Sequence, residues 1–156
     1  MKPTNASQEK PSNSIEYLLT EYHKSHLNRT NQVIHYFCVP VIFWSISALL
    51  WLVKIPIVMN LAMVSMALLM LYYLVKSFKV FIVMFLFSAL SLAINYYLEA
   101  QNFPLLWLAL GVFVAAWIGQ FIGHHIEGKK PSFFQDLQFL LIGPAWVVFK
   151  FLGIKV

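Results

Sequence analysis

The chain has 156 residues, of which 60% are hydrophobic and only 11% are charged. Soluble domains carry about 25% charged residues, so this composition excludes an ordinary soluble protein and indicates an integral membrane protein. The net charge of +5 comes from basic residues that flank apolar segments. This placement favours contact with anionic lipid, and we expect no binding to nucleic acid. The single cysteine, Cys38, excludes an intramolecular disulfide.

The N-terminal residues 1–13 are polar and include Pro3 and Pro11. They lack the apolar core of a secretory signal peptide, and we expect them to form a short disordered tail. The length of the remaining chain is that of one compact unit. We therefore predict a single membrane-embedded domain over residues 14–156.

An amphipathic helix is predicted after this tail. Asn13 or Ser14 can cap it, with Glu16 in the first turn. One helical stripe is formed by Ile15, Leu18, Leu19, Tyr22 and His26. His23 lies three residues before His26, so the two histidines are expected to share a face. Such a helix would lie on the membrane surface.

The rest of the chain is dominated by apolar stretches. Four of them approach or exceed the roughly 20 residues that cross a bilayer, and they run over Val33–Val53, Ile55–Val75, Val80–Leu98 and Pro104–Gly123. A fifth, Phe133–Ile154, contains Asp136 and is predicted to be an interfacial or a fifth membrane helix. The predicted fold class is all-α, a polytopic membrane bundle of four transmembrane helices with these two flanking helices.

Lysine and arginine positions give the expected orientation. They concentrate before the first predicted span, after the second and after the fourth. Because cytoplasmic loops carry the excess of basic residues, both termini are expected to be cytoplasmic. The polar block before the first span and the block after the fourth then lie on the same face of the membrane.

All five histidines fall in those two blocks, separated by a long apolar region without any. The first block holds His23, His26 and His35, and the second holds His124 and His125. Neutral imidazole is the commonest metal-binding side chain. Two histidine clusters that meet at one membrane face therefore predict a metal site, with Asn28 and Asn31 as neighbours able to orient the ligands.

The second block places several polar groups on one helical face. This face is formed by Trp117, Gln120, His124 and Glu127. His125 points about 100° away around the helix. Glu127 is a candidate metal ligand, a carboxylate that holds a histidine, or a proton acceptor. Pairing with Lys129 or Lys130 at the surface is the alternative.

These motifs together resemble the 2-hydroxy fatty acid dioxygenases of fungal phytosphingosine breakdown, a family of small membrane proteins. The resemblance rests on Y-H-x-x-H-x-N-x-x-N-x-x-x-H at Tyr22–His35, followed by V-P at Val39–Pro40. It also rests on W-x-x-Q-F-I-G-H at Trp117–His124 and E-G-x-x-P at Glu127–Pro131. The sequence departs from many fungal and plant members at Cys38, where they carry glycine, and in the spacing between His124 and Glu127.

The resemblance implies an iron(II)-dependent enzyme that removes one carbon from a 2-hydroxy fatty acid with O2. The implied iron ligands are His23, His26, His35 and His124. The residues then expected to act in catalysis are Glu127, Asn31 and Gln120. The substrate acyl chain would lie among membrane lipid and the spans. Its carboxylate would be attracted by four nearby basic residues, Lys24, Arg29, Lys129 and Lys130.

Two alternatives remain open on sequence grounds. A di-iron lipid hydroxylase or desaturase uses histidines similarly but needs more than the five present. A non-catalytic membrane scaffold that binds metal or lipid belongs to a different class, and it would tolerate alanine at His26 and His124. The sequence leaves the oligomeric state open.

Overall fold

The computed structural model describes residues 14–56, 59–128 and 139–154. Over these residues the chain is almost entirely helical, with one short antiparallel strand pair. The elements in chain order are α1 (Ile15–Lys24), α2 (Arg29–Trp51), β1 (Lys54–Ile55), β2 (Met59–Asn60), α3 (Leu61–Lys76), α4 (Phe78–Ala100), α5 (Leu105–Glu127) and α6 (Gly143–Phe151). The all-α class is confirmed for the described part of the chain.

Polar side chains fix where the first helices begin. Ser14 Oγ accepts a hydrogen bond from the backbone N–H of Tyr17 at 3.1 Å, which confirms one of the two predicted caps. Asn28 Oδ1 caps α2 by accepting from Thr30 N at 2.9 Å. These side chains satisfy backbone donors that have no partner within the helix.

Helix α2 lies at the centre of the bundle and packs along α5, with α3, α4 and α6 also against it. Two glycines of α5 allow the close approach. A Cβ at Gly119 would lie 2.7 Å from Cys38 Sγ, and one at Gly123 would lie 2.3 Å from Asn31 Oδ1. Small residues let membrane helices pack closely in this way.

Aromatic and aliphatic side chains from α1, α2, α3, α4 and α6 contribute to the larger core cluster, which includes Leu19, Tyr22, Val39 and Trp146. This cluster covers the helix ends that carry the histidines. The predicted apolar stripe of α1 is confirmed in its main members, because Ile15, Leu19 and Tyr22 are buried.

The opposite end of the bundle has its own polar contact. Glu99, near the end of α4, accepts a hydrogen bond from Trp51 Nε1 at 2.8 Å and one from Lys54 Nζ at 2.5 Å. Lys54 also lies over the Trp51 ring, 5.3 Å from its centroid. This contact joins the end of α2 to the end of α4.

Within the described residues, three helices are long and apolar enough to cross a membrane, namely α2, α4 and α5. They correspond to three of the four predicted spans. Large side chains such as Leu86 and Trp107 are exposed on their outer faces, as expected of surfaces in contact with lipid.

The remaining predicted span, Ile55–Val75, differs from the structure in its first residues. The β1–β2 hairpin occupies its beginning, and Asn60 Oδ1 caps α3 by accepting from Met63 N at 3.0 Å. Helix α3 therefore has 16 residues and is about 24 Å long, shorter than a hydrocarbon core of about 30 Å. The correction arises because Pro56 and Asn60 favour a turn and a helix start.

Both ends of the chain are described only in part. The predicted tail, residues 1–13, and the start of the predicted helix Phe133–Ile154 lie outside the described residues. The described part of that stretch contains α6, whose nine residues extend about 14 Å. Helix α6 alone is too short to span a bilayer.

We expect Gly123→Ala to lower the stability of the folded protein, whereas Gly111→Ala should not. The new methyl group would meet the buried Asn31 side chain, and overpacking of this kind costs about 1–3 kcal/mol. Nothing described lies within 4 Å of a Cβ at Gly111, so that variant is the matched control on the same helix. Thermal unfolding in detergent measures both. Equal melting temperatures for the two variants would contradict this view of the α2–α5 contact.

Candidate metal centre

His26 is placed by the turn that follows α1. The helix ends at Lys24, and the N–H of His26 donates to the carbonyl of His23 at 3.0 Å. The imidazole ring then stacks on the Tyr22 ring at a centroid distance of 4.2 Å. Its Nδ1 atom lies 2.7 Å from the Tyr22 carbonyl oxygen. The ring is thus fixed on both its face and one edge.

His35 is placed by α2, two turns from the start of the helix. Its Nδ1 atom lies 2.9 Å from the carbonyl oxygen of Asn31, one turn earlier. Its Nε2 atom faces Nε2 of His26 at 2.9 Å. The two histidines therefore come from different elements but present the same ring nitrogen to a common point.

The proton positions follow from these contacts. A carbonyl oxygen can only accept a hydrogen bond, so Nδ1 of each ring carries the proton and Nε2 presents a lone pair. Two lone pairs that face each other at 2.9 Å repel unless a cation shares them. Histidines that ligate metals typically donate their other N–H to a carbonyl in this manner.

His124 of α5 completes the group. Its ring centroid lies 5.7 Å from that of His26 and 5.2 Å from that of His35. One nitrogen from each of the three rings lies within 4.8 Å of the others. The three side chains are buried, with exposed fractions of 1%, 1% and 7%. Three neutral nitrogen donors gathered in a buried site fit a divalent transition metal.

The space beside the three rings is small and mostly apolar. A cavity of about 20 Å³ is lined by the three histidines together with Tyr22, Val39, Ile42, Trp117, Gln120, Phe139 and Leu140. This volume holds about one water molecule. Gln120, predicted from the sequence to act in catalysis, therefore lies at the site and can direct its amide into it.

Glu127 closes the site from the end of α5. Its Oε1 atom accepts from Leu27 N at 2.9 Å, and its Oε2 atom accepts from Asn28 N at 3.0 Å and from Asn31 Nδ2 at 2.9 Å. We call this group of contacts the Glu127 clasp. It joins the α1–α2 turn, next to His26, to the last turn of α5, which carries His124. Both carboxylate oxygens accept hydrogen bonds from the neighbouring element, an arrangement that suits a positioning group.

Asn31 contributes both to the placement of His35 and to the Glu127 clasp. Its carbonyl oxygen holds His35, and its side-chain amide belongs to the clasp. The side chain is fully buried, and its Oδ1 atom accepts no hydrogen bond from the described residues. The side chain of Asn28 caps α2, and its backbone N–H donates to Glu127.

His23 does not join the other three. Because α1 ends at Lys24, His23 stays on the helix while the chain turns away before His26. The His23 ring lies 6.2 Å from the Trp146 ring. Burial and the nearby charge of Lys150 lower the pKa of His23. His125 is exposed on the outer side of α5. The expected shared face of His23 and His26 is therefore wrong.

Several residues at the site escaped sequence reasoning. Gln32 Nε2 donates to the His26 carbonyl at 2.7 Å. Trp146 of α6 lies 5.7 Å from the His26 ring and 4.9 Å from the Tyr22 ring. Gln32 lies within the first polar block and could have been found as a neighbour of Asn31. No periodicity in the C-terminal stretch pointed to Trp146.

We expect Glu127→Gln to weaken metal binding by about 10- to 100-fold, as is usual for residues that orient metal ligands. The substituted amide would present a donor to N–H groups that themselves donate. Glu127→Ala should weaken binding further. Competition with a chromophoric chelator measures the affinity for a divalent metal.

Glu99→Gln is the matched control, because it removes a carboxylate from the opposite end of the bundle. We expect its metal affinity to equal that of the unmodified protein. A Glu127→Gln protein with unchanged affinity would show that the clasp does not position the histidines.

Comparison with known proteins shows the family of the chain. A family described as Mpo1-like, 2-hydroxy-palmitic acid dioxygenase, matches residues 12–154. The 2-hydroxy-palmitic acid dioxygenase MPO1 of Saccharomyces cerevisiae is 32% identical over 130 residues, which is 81% of this chain and 73% of the yeast protein. No solved structure gives a significant match. The family match covers nearly the whole chain, including every histidine, and the chain belongs to the Mpo1-like family of 2-hydroxy-palmitic acid dioxygenases.

Proposed function

We propose that this protein is an iron(II)-dependent membrane dioxygenase that shortens 2-hydroxy fatty acids by one carbon with O2. The observation that carries the proposal is the group of three buried histidines whose nitrogens lie within 4.8 Å of one another. The name of the yeast relative, a 2-hydroxy-palmitic acid dioxygenase, supports the substrate class and the use of O2.

The donor set suits iron and this substrate. Imidazole binds iron(II) well, and three ligands leave positions open for other molecules. The ligands are neutral and Glu127 is engaged in the clasp, so the positive charge of the ion would remain available to attract an anion. Bound iron would supply the redox chemistry that O2 requires and a cationic centre for the hydroxyl and carboxylate of the acid.

The residues of the chain supply position and exclusion of water. His26, His35 and His124 would hold the ion, each fixed by its own element. The clasp of Glu127 keeps the elements together, and Asn31 fixes the His35 ring. Gln120 lines the small cavity and is proposed to orient the polar head of the substrate through its amide. The surrounding apolar rings keep bulk water away, which strengthens the attraction for the carboxylate.

The overall reaction balances with one O2 for each substrate. The bond between the first and second carbons breaks, the second carbon is oxidised to the new carboxylic acid, and the first carbon leaves as carbon dioxide. Two oxygen atoms of O2 are distributed among the acid, carbon dioxide and one water. The oxidation of the two carbons releases the four electrons that O2 takes up, so no external reductant is needed.

The proposed membrane arrangement has four spans, formed by α2, α3, α4 and α5. Both termini and the histidine site would be cytoplasmic. Support comes from Lys76, the last residue of α3, and Lys79, in the first turn of α4, at the end of the bundle to which the positive-inside rule assigns the cytoplasm. Helix α3 would cross with the help of the adjoining hairpin.

We expect alanine at His26, His35 or His124 to lower product formation by more than about 100-fold, since loss of a ligand exceeds the usual effect of an orienting residue. The test supplies 2-hydroxypalmitate and O2 to protein purified without oxygen and loaded with iron(II). Mass spectrometry detects the acid shorter by one carbon, and bound iron is measured in parallel.

Two further variants sharpen this test. His125→Ala is the matched control, because it removes an exposed histidine beside His124, and its activity should be unchanged. His23→Ala tests whether His23 is a fourth ligand, as the resemblance implied, or lies apart from the three that are gathered. We expect this variant to retain bound iron. Stoichiometric iron without any shortened acid would reject the dioxygenase and favour the metal-binding scaffold.

A further inference from the structure

A second and much larger cavity lies between α1 and α6. Its volume is about 370 Å³, within the range of about 300–1,000 Å³ that is typical of small-molecule pockets. Apolar walls come from Leu19, Phe149 and Ile154, and polar groups come from Thr20, His23 and Lys150. We call this space the α1–α6 cavity. Its apolar and basic lining fits an amphiphile with a negatively charged head.

The charge of Lys150 is available to such a ligand. No carboxylate of the described residues forms an ion pair with Lys150. By contrast, Lys24 pairs with Glu21 at 2.7 Å and Lys54 pairs with Glu99 at 2.5 Å. Lys24, one of the residues expected from the sequence to attract a carboxylate, is thus already engaged. Lys150, which the sequence did not single out, lines a cavity of the right character.

One aromatic ring separates this cavity from the metal centre. Trp146 lines the α1–α6 cavity, and its ring centroid lies 6.2 Å from that of His23 and 5.7 Å from that of His26. The cavity beside the three histidines has a volume of only about 20 Å³. A long-chain substrate therefore needs space outside it, and the α1–α6 cavity lies directly across Trp146.

We propose that the α1–α6 cavity binds the long-chain carboxylate substrate on its way to the metal centre. The ammonium group of Lys150 holds the carboxylate, and Leu19, Phe149 and Ile154 contact the acyl chain. Trp146 separates the waiting substrate from the histidines. This inference rests on the proposed function for the identity of the ligand, while the cavity and its charge stand independently of it.

The test labels the cavity without any turnover. The full-length protein with its bound metal is placed in nanodiscs of neutral phosphatidylcholine under nitrogen. Palmitate that carries a diazirine near the end of its chain is added and irradiated, and digestion with mass spectrometry locates the adducts. Palmitate lacks the 2-hydroxyl group, and without oxygen no reaction occurs. We expect adducts in peptides that contain residues 19–23 or 146–154.

Two variants challenge the cavity in different ways. Lys150→Gln removes the charge, and labelling should fall by about tenfold or more, as expected for loss of a hydrogen bond to a charged group. Thr20→Phe fills the space from an exposed helix position and should reduce labelling similarly. Lys79→Gln removes an equal charge that does not line the cavity, so its labelling should equal that of the unmodified protein.

The outcomes separate this inference from the proposed function. Labelling that depends on Lys150 supports the cavity even if 2-hydroxypalmitate is never shortened. Normal shortening of 2-hydroxypalmitate, with labelling and KM unchanged in both Lys150→Gln and Thr20→Phe, would overturn the cavity and leave the dioxygenase intact. Displacement of the label by anionic phospholipid at lower concentration than by palmitate would also overturn it, because the site would then hold a lipid headgroup.

Discussion

The carboxylate of Glu127 is the contact on which the site depends most. It is separated by about a hundred residues of sequence from the groups that donate to it, Leu27 N, Asn28 N and Asn31 Nδ2. Through these bonds the end of α5 is joined to the turn between α1 and α2. The three histidines are distributed over those same elements, so this side chain links the elements that carry them. Hydrogen bonds to a charged group of this kind are among the stronger ones in proteins.

The electrostatics of the site follow from its neutral ligands. The rings of His26 and His35 each give their proton to a backbone carbonyl, and both direct a lone pair inward. No carboxylate of the described residues lies among the three nitrogens that are gathered there. A cation held in such a place keeps most of its charge, because the surrounding apolar side chains screen it poorly. The chemistry suited to this environment is that of an anionic substrate.

Sequence patterns predicted the parts of the structure that depend on local periodicity. The stripe of α1 and the three long apolar helices follow from residue spacing. The meeting of the two histidine blocks follows from the number of spans and the positions of the basic residues. His26 was predicted to lie on the stripe of α1, but the helix ends before it. The backbone hydrogen bonds of Ser25 that end α1 leave no periodic signal in the sequence. The exclusion of His23 from the group follows from the same break.

Features made by contacts between distant elements were beyond sequence reasoning. Trp146 and Lys150 belong to a short helix whose position depends on packing against α1 and α2, and no spacing rule places them beside a histidine. Glu127 was recognised as a candidate, but its role could not be chosen from several. The positions of the backbone donors around it favour the role of a positioning group.

The two carboxylates at the ends of α2 have a mechanical consequence. Glu127 accepts a hydrogen bond from Asn31 at the N-terminal end of α2. Glu99 accepts hydrogen bonds from Trp51 and Lys54 at the C-terminal end. A shift of α2 by one helical turn, about 5.4 Å, would break the hydrogen bonds to both carboxylates at once. The central helix is thus held at both ends, and these contacts oppose its movement along its own axis to admit a ligand. We therefore expect any opening of a route to the histidines to come from movement of the short peripheral helices α1 and α6.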